Sequence, residues 1–142
     1  MIHAVVLGAE KLEKGLLKDL PVQPSNWQMT CLDNDAEKIR QIKEANHYSI
    51  SVIQQGKVTA YEFQDVEAYL TLLQPQDCYA LVYADVLFIC LMPKDHAAEL
   101  AYLKKVLSMR AKTNPAQRLT LYYLSHEKEK SFSLMQAITV GM

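Results

Sequence analysis

The chain opens MIHAVVLGAEKLEKG (Met1–Gly15), and its fold turns on what this stretch becomes. Ile2 to Leu7 is rich in β-formers and apolar throughout except at His3, the pattern of a strand covered on both faces of a parallel sheet. Gly8 interrupts it, and Glu10, Lys11, Glu13, Lys14 and Gly15 follow. From Glu10 to Leu20 the residues Leu12, Leu16, Leu17 and Leu20 recur at helical spacing until Pro21 and Pro24. That spacing predicts an amphipathic helix over 10–20. A strand, a glycine turn and a helix form the unit that, in a dinucleotide-binding fold, holds a pyrophosphate.

The same alternation continues downstream. Trp27 to Leu32 reads as a second strand, and Asp33, Asn34 and Asp35 form a capping cluster before Glu37, Ile39, Ile42 and Ala45 at helical spacing. Tyr48–Gln54 and Val58–Phe63 alternate on either side of Gln55-Gly56, the signature of a hairpin. Between Gln64 and Tyr83 the segment VEAYLTLL suits either a short helix or a strand, and Pro75 separates it from DCYALVY.

VLFICLM, after Asp85, is uniformly apolar like an interior strand and is closed by Pro93. Asp95 is placed to cap a helix carrying Ala98, Leu100, Leu103, Val106, Leu107 and Met109, and Asn114-Pro115 ends that unit. Leu119–Leu124 is a further β-like run. Ser125 then opens SHEKEKSFSLMQAI, with a helical stripe of Phe132, Leu134, Met135 and Ile138. Strands alternating with helices predict an α/β fold: a doubly wound, mainly parallel sheet with helices on both faces, right-handed crossovers and an inserted β-hairpin.

A chain of 142 residues is expected to form one domain, 1–142, burying roughly 68–70% of its unfolded surface. Half of the residues are apolar, yet no run reaches the ~18–20 apolar residues that span a bilayer. No basic segment precedes Ile2, so a cytoplasmic location without membrane attachment is expected. Cys31, Cys78 and Cys90 have no CxxC spacing and sit in apolar stretches, as core thiols do. Fifteen basic and sixteen acidic residues give a net charge of -1, which provides no field for nucleic acid. The basic stretch Lys104–Arg118 reads as a solvated helix end.

HAVVLGAEKLEKG at the first strand and turn, CLDND before a helix, NHYSISVIQQGKV, ADVLFICLMP and RLTLYYLSHE occur in an order and spacing that resembles the N-terminal nucleotide-binding domain of the mannitol-1-phosphate 5-dehydrogenase and polyol dehydrogenase family. The resemblance spans nearly the whole chain. It implies a Rossmann sheet that binds NAD, with the catalytic lysine and most of the polyol pocket in a separate helical domain. Such a domain does not follow within the sequence, which runs to Met142.

A dinucleotide turn needs its first glycine for the bend, its second for close approach to the pyrophosphate and its third for helix–strand packing. Gly8 stands at the first position, but Glu10 and Glu13 stand at the second and third. Two like charges ~4 Å apart repel by about 4 kcal/mol at an effective dielectric near 20, so an inward Glu10 opposes a dianionic ligand. Glu10 and Glu13 equally serve to stabilise a helix start that holds no anion. Asp33 occupies the position where the family's carboxylate accepts the ribose hydroxyls, although it also belongs to the capping cluster. Leu91 and Met92, before Pro93, put bulk where the family has small residues, and Ser125–Glu127 replaces an acidic and amide pair.

His3, His47, His96 and His126 are scattered, with no metal-ligand spacing, and Ser51, Ser125 and Ser131 lack a nucleophile-elbow context. Lys11 and Lys14 are balanced by neighbouring glutamates. The expectation is therefore a degenerate, non-catalytic Rossmann-like domain that acts as a protein-interaction or assembly subunit, with a protein partner or a homo-oligomer. It has no catalytic residue, no metal and no cofactor, and only Gly8 and Asp33 survive as a residual cofactor site. The competing expectation is an NAD-binding module, or one half of a split polyol-phosphate dehydrogenase.

Overall fold

A computed structural model of the chain describes residues 2–9, 17–18, 26–70, 76–90 and 96–123. In chain order the elements are β1 (Ile2–Leu7), β2 (Leu17–Lys18), β3 (Trp27–Asp33), α1 (Ala36–Ala45), β4 (His47–Gln54), β5 (Lys57–Gln64), β6 (Glu67–Leu70), α2 (Gln76–Val82), β7 (Val86–Ile89), α3 (His96–Thr113) and β8 (Thr120–Tyr123). Five strands form one sheet in the order β6-β3-β1-β7-β8, and every neighbouring pair in it is parallel. β1 is central. The chain steps outward from β1 to β3 and β6, then crosses back to β7 and β8 on the other side, so the order reverses beside β1.

The apolar continuity of β1 follows from burial on both sides. Ala4 and Val6 face a cluster that includes Met29, Cys31, Phe88 and the α1 residues Ile39 and Ile42. Val5 and Leu7 face the other way, toward Leu81 and Val82 of α2 and Leu103, Val106 and Leu107 of α3. Helices thus cover both faces of the parallel sheet. Burying Ile39 and Ile42 contributes about 1.5–3 kcal/mol each, which is what holds an otherwise charged α1 against the sheet.

α1 starts where the capping cluster predicts. Asp35 is its N-cap, its carboxylate accepting from the backbone N–H of Glu37 at 3.0 Å and of Lys38 at 3.1 Å. Asn46 ends the helix in the left-handed conformation and donates its N–H to the Ile42 carbonyl at 2.8 Å. The hairpin β4–β5 is antiparallel with unbroken register from Gln54↔Lys57 to His47↔Gln64. Its turn, Gln55 at φ 53° and Gly56 at φ 78°, is the two-residue form that suits the twist of the strands. Tyr48, Ile50, Val52 and Phe63 bury the hairpin against the same face as α1.

Two segments depart from the sequence reading or complete it. Leu17 and Lys18, expected inside a helix over 10–20, are strand: they pair parallel with Val52 and Ile53, making a second sheet in the order β2-β4-β5. Strand pairing there overrides leucine spacing, a local propensity that tertiary context commonly overrules. The rest of that expected helix, 10–16 and 19–20, lies outside the described residues. The segment left open, 64–83, divides into β6, which pairs with β3, and α2.

A polar network fixes the opposite end of the large sheet. Arg110 of α3 is 4% exposed, and its Nη1 donates to the carbonyls of Leu81 and Val82, both at 2.9 Å, while Nη2 donates to that of Gln117 at 3.2 Å. These bonds satisfy carbonyls at the end of α2, a helix with no basic residue in its own last turn. Asp85, just before β7, accepts from the His3 N–H at 2.8 Å and from Gln117 Nε2 at 2.7 Å. Burial alone would raise the Asp85 pKa. The His3 N–H, the Gln117 amide and the charges of His3 and Arg110 outweigh it and hold the carboxyl below the usual range.

Candidate functional site

The strands β1, β3 and β7 end side by side, with Leu7 in register with Leu32 and Ile89. In a parallel α/β sheet, the crevice beside such ends, where strand order reverses, is the usual ligand position. Gly8, Asp33 and Cys90 meet there.

Gly8 has φ 91°, donates its N–H to the Leu32 carbonyl at 2.8 Å, and lies against Cys90, whose own N–H donates to Leu7 at 2.8 Å. A β-carbon at Gly8 would come within 2.1 Å of the Cys90 carbonyl oxygen. Backbone conformation and packing therefore account for the glycine without reference to a ligand. Ala9 is fully buried, and its carbonyl accepts from the Tyr48 hydroxyl at 2.5 Å. The turn is pinned by β7 on one side and by the hairpin on the other.

Asp33 is 6% exposed, and its Oδ1 accepts from the Asp35 N–H at 2.9 Å. It thus shapes the turn that delivers the true N-cap, Asp35. Burial first, and the Asp33 charge second, push the Cys90 thiol up to about 12. Such a thiol stays protonated at neutral pH and is a poor nucleophile. The arrangement sets a buried carboxylate that accepts from the Asp35 N–H beside a thiol that stays protonated.

Glu10, Lys11, Glu13, Lys14 and Gly15 lie outside the described residues, as do Leu91–Pro93, Ser125–Glu127 and Ser131. Of the histidines, His3 is exposed at the start of β1, and His47 Nε2 stands 3.7 Å from Glu62 Oε1 on the hairpin. His96 begins α3. Ser51 is on β4, and Cys31 and Cys90 are buried in the core as the sequence predicts. Among the described residues no cluster of His, Cys, Asp or Glu is arranged to hold a metal ion. No helix among them is long and apolar enough to cross a membrane.

The sequence reading missed two features. Tyr48 acts as the strut under Ala9, and only its place in an alternating strand marked it as buried. The other is a groove of about 360 Å³ across β1, β3 and β6, bordered by α2 and lined by His3, Thr30, Glu67, Tyr69, Tyr79 and Tyr83 among others. It opens near the starts of β1 and β3, away from Gly8 and Asp33, and no sequence spacing announces it. No protein-family model matches the chain, and no curated protein is significantly similar to it.

Proposed function

We propose that the chain is a degenerate, non-catalytic Rossmann-like domain, similar to the nucleotide-binding half of mannitol-1-phosphate dehydrogenases, that works through protein contacts as an assembly subunit. The fold part is supported by the strand order β6-β3-β1-β7-β8, which is the 3-2-1-4-5 order of that architecture counted along the parallel sheet. The observation that carries the functional part is Asp33: the carboxylate that should meet a ribose is 6% exposed and accepts from Asp35. A ribose-accepting carboxylate has to be reachable. The residues present fit NAD poorly, since Glu10 and Glu13 replace the approach glycines in sequence.

A second reading, an NAD-binding module or one half of a split polyol-phosphate dehydrogenase, is favoured by the retention of Gly8 and Asp33 at the reversal of strand order. Thermal unfolding of the full chain with NAD or NADH separates the two. A ligand at ~100 times its Kd adds about 2.7 kcal/mol of stability and raises Tm by several degrees. An unchanged Tm at millimolar nucleotide upholds the assembly reading, and a clear rise overturns it.

A further inference from the structure

We infer that the groove across β1, β3 and β6 binds a small organic cation with a quaternary ammonium head, held between the rings of Tyr79 and Tyr83 and the carboxylate of Glu67. This site is separate from the strand ends at Gly8 and Asp33 and does not depend on the assembly reading. Its volume of about 360 Å³ falls within the range of small-molecule sites. The sheet supplies the floor. Val5, Thr30 and Glu67 stand in one register row across β1, β3 and β6, so the lining passes from an apolar centre through a hydroxyl to a carboxylate on the outer strand.

α2 supplies the wall. The Tyr83 N–H donates to the Tyr79 carbonyl at 3.2 Å, which sets the two residues one turn apart on the same side of the helix. Both line the groove, yet Tyr79 is 70% and Tyr83 48% exposed. Neither belongs to the core that α2 makes through Leu81 and Val82. Two neighbouring aromatic side chains are thus left to solvent beside a concave floor, where a ligand can reach them.

The lining decides the sign of the ligand. Among the described residues around the groove there is one carboxylate and no lysine or arginine, so an anionic group would lie unpaired beside Glu67. The Tyr69 hydroxyl donates to Glu67 Oε2 at 3.3 Å and orients that carboxylate. Lys43, which does not line the groove, stands with its Nζ 6.0 Å from the centroid of the Tyr69 ring, so Tyr69 serves through its hydroxyl and the rings offered to a ligand are Tyr79 and Tyr83. A cation against these rings is drawn by their negative faces, and the carboxylate adds to the attraction. A quaternary nitrogen suits this set better than a primary ammonium, because it needs no hydrogen-bond acceptors of its own and turns apolar methyls toward the rings.

NMR of the full chain carrying ring-labelled tyrosine, titrated with choline at constant ionic strength, tests the inference. The Tyr79 and Tyr83 signals, assigned through Tyr79→Phe and Tyr83→Phe, are expected to shift saturably with a Kd of about 1 mM. Glu67→Gln and Tyr79→Leu should each weaken binding about threefold or more, whereas Tyr79→Phe, which keeps the ring face, should bind as the unsubstituted chain does. Dimethylbutanol, the neutral isostere with carbon in place of the charged nitrogen, should bind about tenfold or more weakly than choline. Phosphocholine, with an anion close to the same head, should also bind more weakly than choline, which separates a free cation from a lipid headgroup. No saturable shift up to about 20 mM choline overturns the site, as does equal binding of dimethylbutanol or of phosphocholine. Choline binding that is unchanged in both Glu67→Gln and Tyr79→Leu overturns the residues assigned to it.

Discussion

A β-carbon on Gly8 would lie 2.1 Å from the carbonyl oxygen of Cys90, closer than any tolerated contact and against backbone rather than a movable side chain. Gly8 also sits at φ 91°. Gly8→Ala is therefore expected to destabilise the fold by about 2–5 kcal/mol, combining backbone strain with overpacking. Urea unfolding followed by Trp27 fluorescence checks it. Trp27 is the sole tryptophan, and its ring centroid is 6.2 Å from that of Phe63 and 5.9 Å from that of Phe88. A loss below about 1 kcal/mol would show that the turn yields more easily than its packing indicates.

Arg110 supplies the donors that close the end of α2. Replacing it with methionine keeps much of the aliphatic stem but leaves the carbonyls of Leu81, Val82 and Gln117 without these bonds. Arg110→Met is expected to cost about 2–5 kcal/mol. Arg40, whose side chain is 54% exposed beside Glu37 and Glu44, is the control: Arg40→Met should change stability by less than about 1 kcal/mol. Equal effects in the two variants would contradict the network's role.

The buried thiol of Cys90 gives the protein an alkaline limit. Its pKa is pushed up to about 12 by burial and by the nearby Asp33 charge, against an ordinary value of 9.0. Below pH 9 both folded and unfolded chains keep the proton, and Cys90 adds no pH dependence. Between the two values the unfolded chain releases the proton and the native one does not, so stability falls as pH rises, by up to about 1.4 kcal/mol per unit. Cys90→Ala is expected to flatten this limb of the stability profile. An unchanged slope would show that other groups set it.

Asp85 acts at the acid end with the opposite sign. Its lowered pKa means that its contribution is fully present above the ordinary value of 3.8 and is lost as pH falls below that value through the native one. Asp85→Asn should lower stability at neutral pH and make the profile shallower below about pH 4. A parallel displacement of the whole curve would place the acid sensitivity elsewhere.

The parts of the fold that were legible are those in which local pattern and tertiary environment agree. The apolar run Ile2–Leu7 is buried on both faces, the Gln55-Gly56 turn joins a hairpin, and Asp35 caps α1 as its cluster requires. Leu17 and Lys18 misled because leucine spacing cannot show that β4 will recruit them by strand pairing. At the candidate site Gly8 and Asp33 were identifiable by position. Their physical use was not, since the contact of Gly8 with Cys90 and the support of Ala9 by Tyr48 join residues far apart in sequence.

The most direct test of the central claim is calorimetric titration of the unsubstituted full chain with NAD and NADH. A turn built for packing, with Asp33 committed to Asp35, is expected to give no saturable heat into the millimolar range. A Kd in the micromolar range, about -8 kcal/mol of binding free energy, would contradict it and make the strand ends a working nucleotide site.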